Sequence, residues 1–184
     1  MHNTANSLAA ALLAVCVAVP GYAQGASEPR TFSALTRTVS QLAADGQVLE
    51  LRVHWTVPGA APGQATVLDV SGGFALAEQK RSTGFLRRER RPQLSPDLLV
   101  LVVRASDGRE LDWRTAPNPR ILRAETPQPD GRLTGQVFEL PEVDLFVVIP
   151  WLAEASAIRV YQPRWTGTEY ALDAIGDVAL TALP

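Results

Sequence analysis

The chain has 184 residues, a formal net charge of −2 and a single cysteine, Cys16. So near-neutral a balance argues against binding nucleic acid or an anionic membrane through overall charge. One cysteine excludes a disulfide scaffold, so stability has to come from apolar burial.

Residues 1–23 contain no Asp, Glu, Lys or Arg. Leu8 to Val19 is an apolar block, and Gly21 and Ala23 suit the −3 and −1 positions of a signal-peptidase site. The block falls short of the ~20 residues that span a bilayer. This grammar predicts a cleaved signal peptide over 1–23, a single domain over 24–184, and a periplasmic or secreted location, although only the amino terminus and His2 could supply the usual positive charge. Cys16 follows Val15, where a lipoprotein signal wants a small residue, so it reads as an ordinary apolar position.

After a polar stretch to Pro29, residues 31–41 offer two patterns. Leu35, Val39 and Leu42 have helical spacing, whereas Phe32, Ala34 and Thr36 alternate. The Thr and Val content favours a strand, closed by a turn at Asp45-Gly46. Val48 to Val57 alternates strictly, with Leu49, Leu51, Val53 and Trp55 against Glu50, Arg52, His54 and Thr56, which predicts a half-buried strand. Residues 59–64 form a loop by composition, and 66–70 a short strand. Residues 74–96 show no sustained apolar period and read as a long loop or irregular crossover.

Leu98 to Val103 is apolar at every position. It is too short for a helix and suits a strand covered on both faces. Asp107-Gly108 then signals a hairpin into the segment around Leu111 and Trp113. Short strands follow at 120–125 and 133–140, with Asp130-Gly131 between them. Val143 to Ile149 is a second apolar run and the natural neighbour of the first, and Trp151 to Ala155 reads as a single helical turn. Further strands are expected at 157–162, 169–172 and 177–183, with a turn at Thr166-Gly167. Nine or ten short strands broken by Gly and Pro, with no long helix, predict an all-β, two-sheet, mostly antiparallel sandwich of immunoglobulin-like type.

Catalytic constellations are sparse. His54 is the one histidine beyond His2; it sits on the polar face of its strand, and no G-x-S-x-G elbow accompanies it. One imidazole and no thiol in residues 24–184 argue against zinc. Glu139, Glu142 and Asp144 cluster around Pro141 as a solvated connection does, and Asp173 and Asp177 are too sparse for calcium. No glycine-rich phosphate loop leads into a helix, so no cofactor is expected.

The most distinctive stretch is 80–91. Lys80, Arg81, Arg87, Arg88, Arg90 and Arg91 face one acid, Glu89, within twelve residues. Such a segment could grip an anionic glycan or lipid, or an acidic protein surface. The compartment and the neutral average argue against nucleic acid. Trp151 and Trp165, near the later loops, could stack on sugars or anchor a protein partner. The reading that follows is an exported, non-catalytic module that binds or assists another envelope or secreted protein. A glycan- or anionic-lipid-binding module is the alternative, and a hydrolase is the least supported.

Overall fold

Leu99, Leu101 and Val103 point to one face of their strand and Val100 and Val102 to the other, and all five are shielded from water. Successive strand side chains alternate in direction, so a strand dry on both faces needs a layer on each side. The computed structural model describes residues 30–57, 73–90 and 92–183, and it supplies both layers.

The elements in chain order are β1 (Arg30–Thr31), α1 (Phe32–Thr38), β2 (Ala44–Thr56), β3 (Gly73–Leu86), β4 (Leu98–Ala105), β5 (Glu110–Pro117), β6 (Ile121–Pro127), β7 (Leu133–Glu139), β8 (Glu142–Pro150), β9 (Ala155–Trp165) and β10 (Tyr170–Ala179). They form a five-stranded sheet in the order β1-β10-β9-β4-β5, a three-stranded sheet in the order β3-β2-β8, and a separate β6-β7 ribbon. Every pairing is antiparallel. The result is the all-β sandwich that the strand spacing predicts. Its inter-sheet core joins Leu99, Leu101, Val103, Ile158 and Val160 to Leu49, Leu51, Val53, Trp55, Leu145, Val147 and Ile149. Fully burying each such side chain stabilises the fold by about 1.5–3 kcal/mol.

The other face of the five-stranded sheet is covered by α1, which corrects the strand expected over 31–41. Leu35 and Val39, one helical turn apart, pack with Val100, Val102, Trp113, Tyr161 and Leu172. Thr31 caps the helix by accepting from the Ala34 amide at 3.2 Å. The Phe32 ring meets Trp113 edge-on at 5.1 Å, and the Trp113 indole N–H donates to the Val39 carbonyl at 3.0 Å.

Five other expectations need correction. Residues 74–86 are not loop: β3 pairs with β2 along its whole length. A bulge opposite Arg52 and Val53 puts Phe74 and Leu76 in register with inward residues, and beyond it Gln79 and Arg81 take the inward register. One slipped residue exchanges the faces, so no single period runs through the strand. Asp45-Gly46 lies within β2, where Gly46 (φ 128°) bends the chain opposite Gly84, and is not a turn before it. The run Val143–Ile149 does not pair with β4; β8 is the edge of the other sheet, beside β2. Residues 152–155 form a β-turn closed by the Ala155 amide on the Leu152 carbonyl at 3.0 Å, without a helical turn. The two final strands are one, β10, with a bulge between Ala174 and Gly176. Asp107-Gly108, Asp130-Gly131 and Thr166-Gly167 all turn hairpins as expected. The signal peptide, the 59–64 loop and the 66–70 strand lie outside the described residues.

One buried ion pair ties the flank of the sandwich together. Asp112 is fully buried and Arg114 nearly so. Asp112 accepts from the Leu42 amide at 2.7 Å and from Arg114 Nε at 2.8 Å. Arg114 in turn donates to the carbonyls of Leu42 and Arg87, on the segments flanking β2 and β3. Burial pushes the Asp112 carboxyl above its ordinary 3.8, against the pull of the Leu42 amide and Arg114. The folded state therefore holds that proton more tightly than the unfolded chain, so taken alone Asp112 favours the fold less as pH rises from 3.8 through its folded value. Removing one partner of a buried pair strands the other. Asp112→Ala is expected to lower the unfolding free energy by about 3–5 kcal/mol in urea titrations, and an unchanged midpoint would contradict the role assigned to the pair.

Candidate interaction surface

The structure separates two of the cationic residues singled out in the sequence. Lys80 and Arg81 are consecutive in β3 and so point to opposite faces. Lys80 lies opposite Glu50 in the ladder. Arg81 sets its guanidinium 4.5 Å from the centre of the Trp151 ring and donates through Nε to Gln47 at 2.7 Å. Arg87 has its carbonyl held by Arg114 and its guanidinium 5.6 Å from the Phe85 ring. Arg88 and Arg90 are exposed, and Arg91 lies outside the described residues. Pairing within a sheet separates Lys80 from Arg81, whereas Arg87, Arg88 and Arg90 follow the end of β3.

Nor do the tryptophans share a strip. Trp55 and Trp113 are core, and Trp151 is half-buried under Arg81 against the inter-sheet core. Trp165 alone is well exposed, at 54%, beside Tyr170 with ring centres 5.1 Å apart.

His54 keeps to the polar face of β2, as alternation predicts. Its Nδ1 lies 3.1 Å from Asp144 and its Nε2 3.3 Å from Glu142, both on β8. Each ring nitrogen thus lies beside a carboxylate of the neighbouring strand. Glu139 turns away to Arg120 at 3.4 Å, and Asp173 and Asp177 accept the forks of Arg164 and Arg159. The acidic groups thus serve as cross-strand ion pairs. No family model matches the chain, and no curated protein or solved structure does either.

Sequence reasoning places the β6-β7 hairpin but misses that it forms a sheet of its own, apart from the two sheets of the sandwich. It projects as an arm whose strands pack chiefly on each other, and every residue from Glu125 to Val137 is exposed. Leu122, Leu133 and Val137 are exposed by 50%, 62% and 54%. The arm is fixed chiefly at its root. There the almost fully buried Arg120 lays its guanidinium 5.0 Å from the Trp55 ring, which itself stacks on Phe74 at 5.0 Å. Arg120 Nε donates to the Leu140 carbonyl at 2.7 Å, and the Leu140 amide returns a bond to the Arg120 carbonyl at 2.9 Å. Burial pushes the Arg120 guanidinium below its ordinary value, with Glu139 opposing. Farther out, Arg123 reaches back to Asp97 at 2.6 Å, and Arg132 neighbours Asp130 at 3.5 Å. A signal was present: two seven-residue strands carrying charged or polar groups on both faces, around Pro127, Pro129 and Gly131, have no face fit for a core.

The His54 cluster yields a pH test. The His54 hydrogen bond, aided by Arg52, holds the Asp144 carboxyl below the usual 3.8. A carboxyl with a lowered folded value stabilises the fold fully above 3.8 and loses that contribution as pH falls through the folded value. Asp144→Asn should therefore lower the urea midpoint at ~pH 6, with the difference from the parent shrinking towards ~pH 2. A difference that grows on acidification would contradict the assignment.

Proposed function

We propose that this protein is an exported, non-catalytic β-sandwich module that binds another envelope or secreted protein through the β6-β7 arm. The carrying observation is the exposure of Leu122, Leu133 and Val137 on a ribbon whose strands pack chiefly on each other. Single exposed apolar residues are ordinary. Three on one projecting hairpin whose outer edges are unpaired among the described residues are not, because an isolated two-stranded hairpin is marginal in water and gains most from a partner that adds strand or apolar cover. Charge gives the arm little to recognise by, since Arg123, Arg132, Asp130 and Glu139 already have intrachain partners. Export follows from the grammar of residues 1–23.

A glycan reading keeps one specific support, the exposed Trp165 ring beside Tyr170. It predicts that a bound sugar changes tryptophan fluorescence and that Trp165→Ala abolishes the change.

For the principal reading, a photoreactive residue at Val137 in the exported protein should give a discrete protein adduct. The same probe at Glu50, on the outer face of β2, should give none. Failure of the Val137 probe to crosslink to any protein would overturn the proposal.

A further inference from the structure

Resting on the arm as an interaction surface, we infer that its partner is a second copy of this chain, with β7 pairing antiparallel to the β7 of that copy. One edge of β7 is bonded to β6, and no other strand among the described residues pairs with its second edge. A two-fold contact must be self-complementary: if residue i meets j, then j meets i. The β7 sequence meets this condition about Gly135. In that register Leu133 of each copy lies opposite Val137 of the other, and Gly135 lies opposite itself.

The β6-β7 ladder places Leu133 beside Pro127, Gly135 beside Glu125 and Val137 beside Arg123. Joining two arms at β7 would set two Leu–Val pairs on one face of a four-stranded sheet, with the two Glu125 carboxylates kept apart by the paired glycines. On the other face Thr134 meets Gln136, and Arg132 meets Phe138, a cation against an aromatic ring. No like charges stand opposite each other, which is the usual cost of random self-pairing. A Cβ built on Gly135 has nothing within 4 Å, so a side chain fits at this position.

A partner of opposite charge fits less well, because the ionised groups on the arm other than Glu125 have intrachain ion-pair partners among the described residues. The exposed apolar residues with an open strand edge call instead for a strand of the same alternation, and β7 is one. An edge pairing seven residues long lies at the small end of specific interfaces, so the dimer should form at high protein concentration and dissociate on dilution.

The test exploits the register. Sedimentation of the exported chain should show concentration-dependent dimers at up to ~1 mM. Leu133→Lys with Val137→Lys places like charges opposite each other and should abolish the dimer. Leu133→Glu with Val137→Lys places opposite charges across the two-fold axis and should retain it. Within one chain these positions are ~13 Å apart along the strand and cannot compensate each other. Gly135→Cys should form a disulfide-linked dimer faster than Thr134→Cys, because only position 135 faces itself within disulfide range.

A chain that stays monomeric throughout, a dimer indifferent to the paired lysines, or equal crosslinking by the two cysteine variants would each overturn the inference. A monomeric chain that still gives an adduct with a different protein from Val137 would overturn the second copy alone and leave the arm as a protein-binding surface. Absence of any adduct from Val137 would remove both.

Discussion

Exclusion of water from both faces of β4 is the constraint from which the remaining architecture follows. Val100 and Val102 can stay dry only if something covers the outside of the five-stranded sheet, and a single sheet partner covers only the inside. The seven residues of α1 and its C-cap Val39 meet that need, because Leu35 and Val39 pack together on the strand surface. Trp113 couples the cover to the sheet, with its ring in the apolar layer and its N–H on the Val39 carbonyl. The Asp112–Arg114 pair then holds the chain as it leaves this cover and enters the opposite sheet, through the amide and carbonyl of Leu42. Core and flank are in this sense one device: apolar burial sets the layers, and a satisfied buried ion pair sets how the segments between them run.

The same economy explains what lies outside the core. The sandwich fills its interior with residues of β2, β4, β5, β8, β9 and β10 and has no use for β6 or β7 as core strands. Those two form the arm, and Arg120 is its root, planted beneath the Trp55 ring. The aliphatic stem of an arginine can lie in an apolar layer while its planar head satisfies the carbonyl above. An apolar residue in that place would leave the Leu140 carbonyl without a side-chain partner. The body supplies the mount, and the arm carries Leu122, Leu133 and Val137 exposed on strands that belong to neither sheet of the sandwich.

Much of this was legible in the residues. The alternation of Val48–Val57, the two-sided burial of Leu98–Val103 and the hairpins at Asp107-Gly108 and Asp130-Gly131 each follow from local geometry, and the structure reproduces them. Strand β3 was illegible because its bulge exchanges inward and outward positions midway, and because an edge strand tolerates polar groups inward at the rim, as Gln79 and Arg81 show. The site was less legible than the fold. A cluster of cations in sequence is a cluster in space only if the segment is a loop, and pairing with β2 sent Lys80 and Arg81 to opposite sides. The arm betrayed itself only by the lack of a buried face.

Two apolar runs show where local information ends. Leu98–Val103 and Val143–Ile149 read alike, yet the first is covered on both faces, whereas β8 leaves Phe146 and Val148 open to solvent. The residues by themselves determined that both would be strands, where the hairpins turn, and that two sheets would close on an apolar core, because pleat, turn geometry and burial act over a few residues. Only the tertiary structure decided which run α1 would cover, which strands would pair, and that β6 and β7 would stand clear of the body. Those outcomes depend on contacts between segments distant in the chain, and the period of a single strand carries no record of what will pack over it.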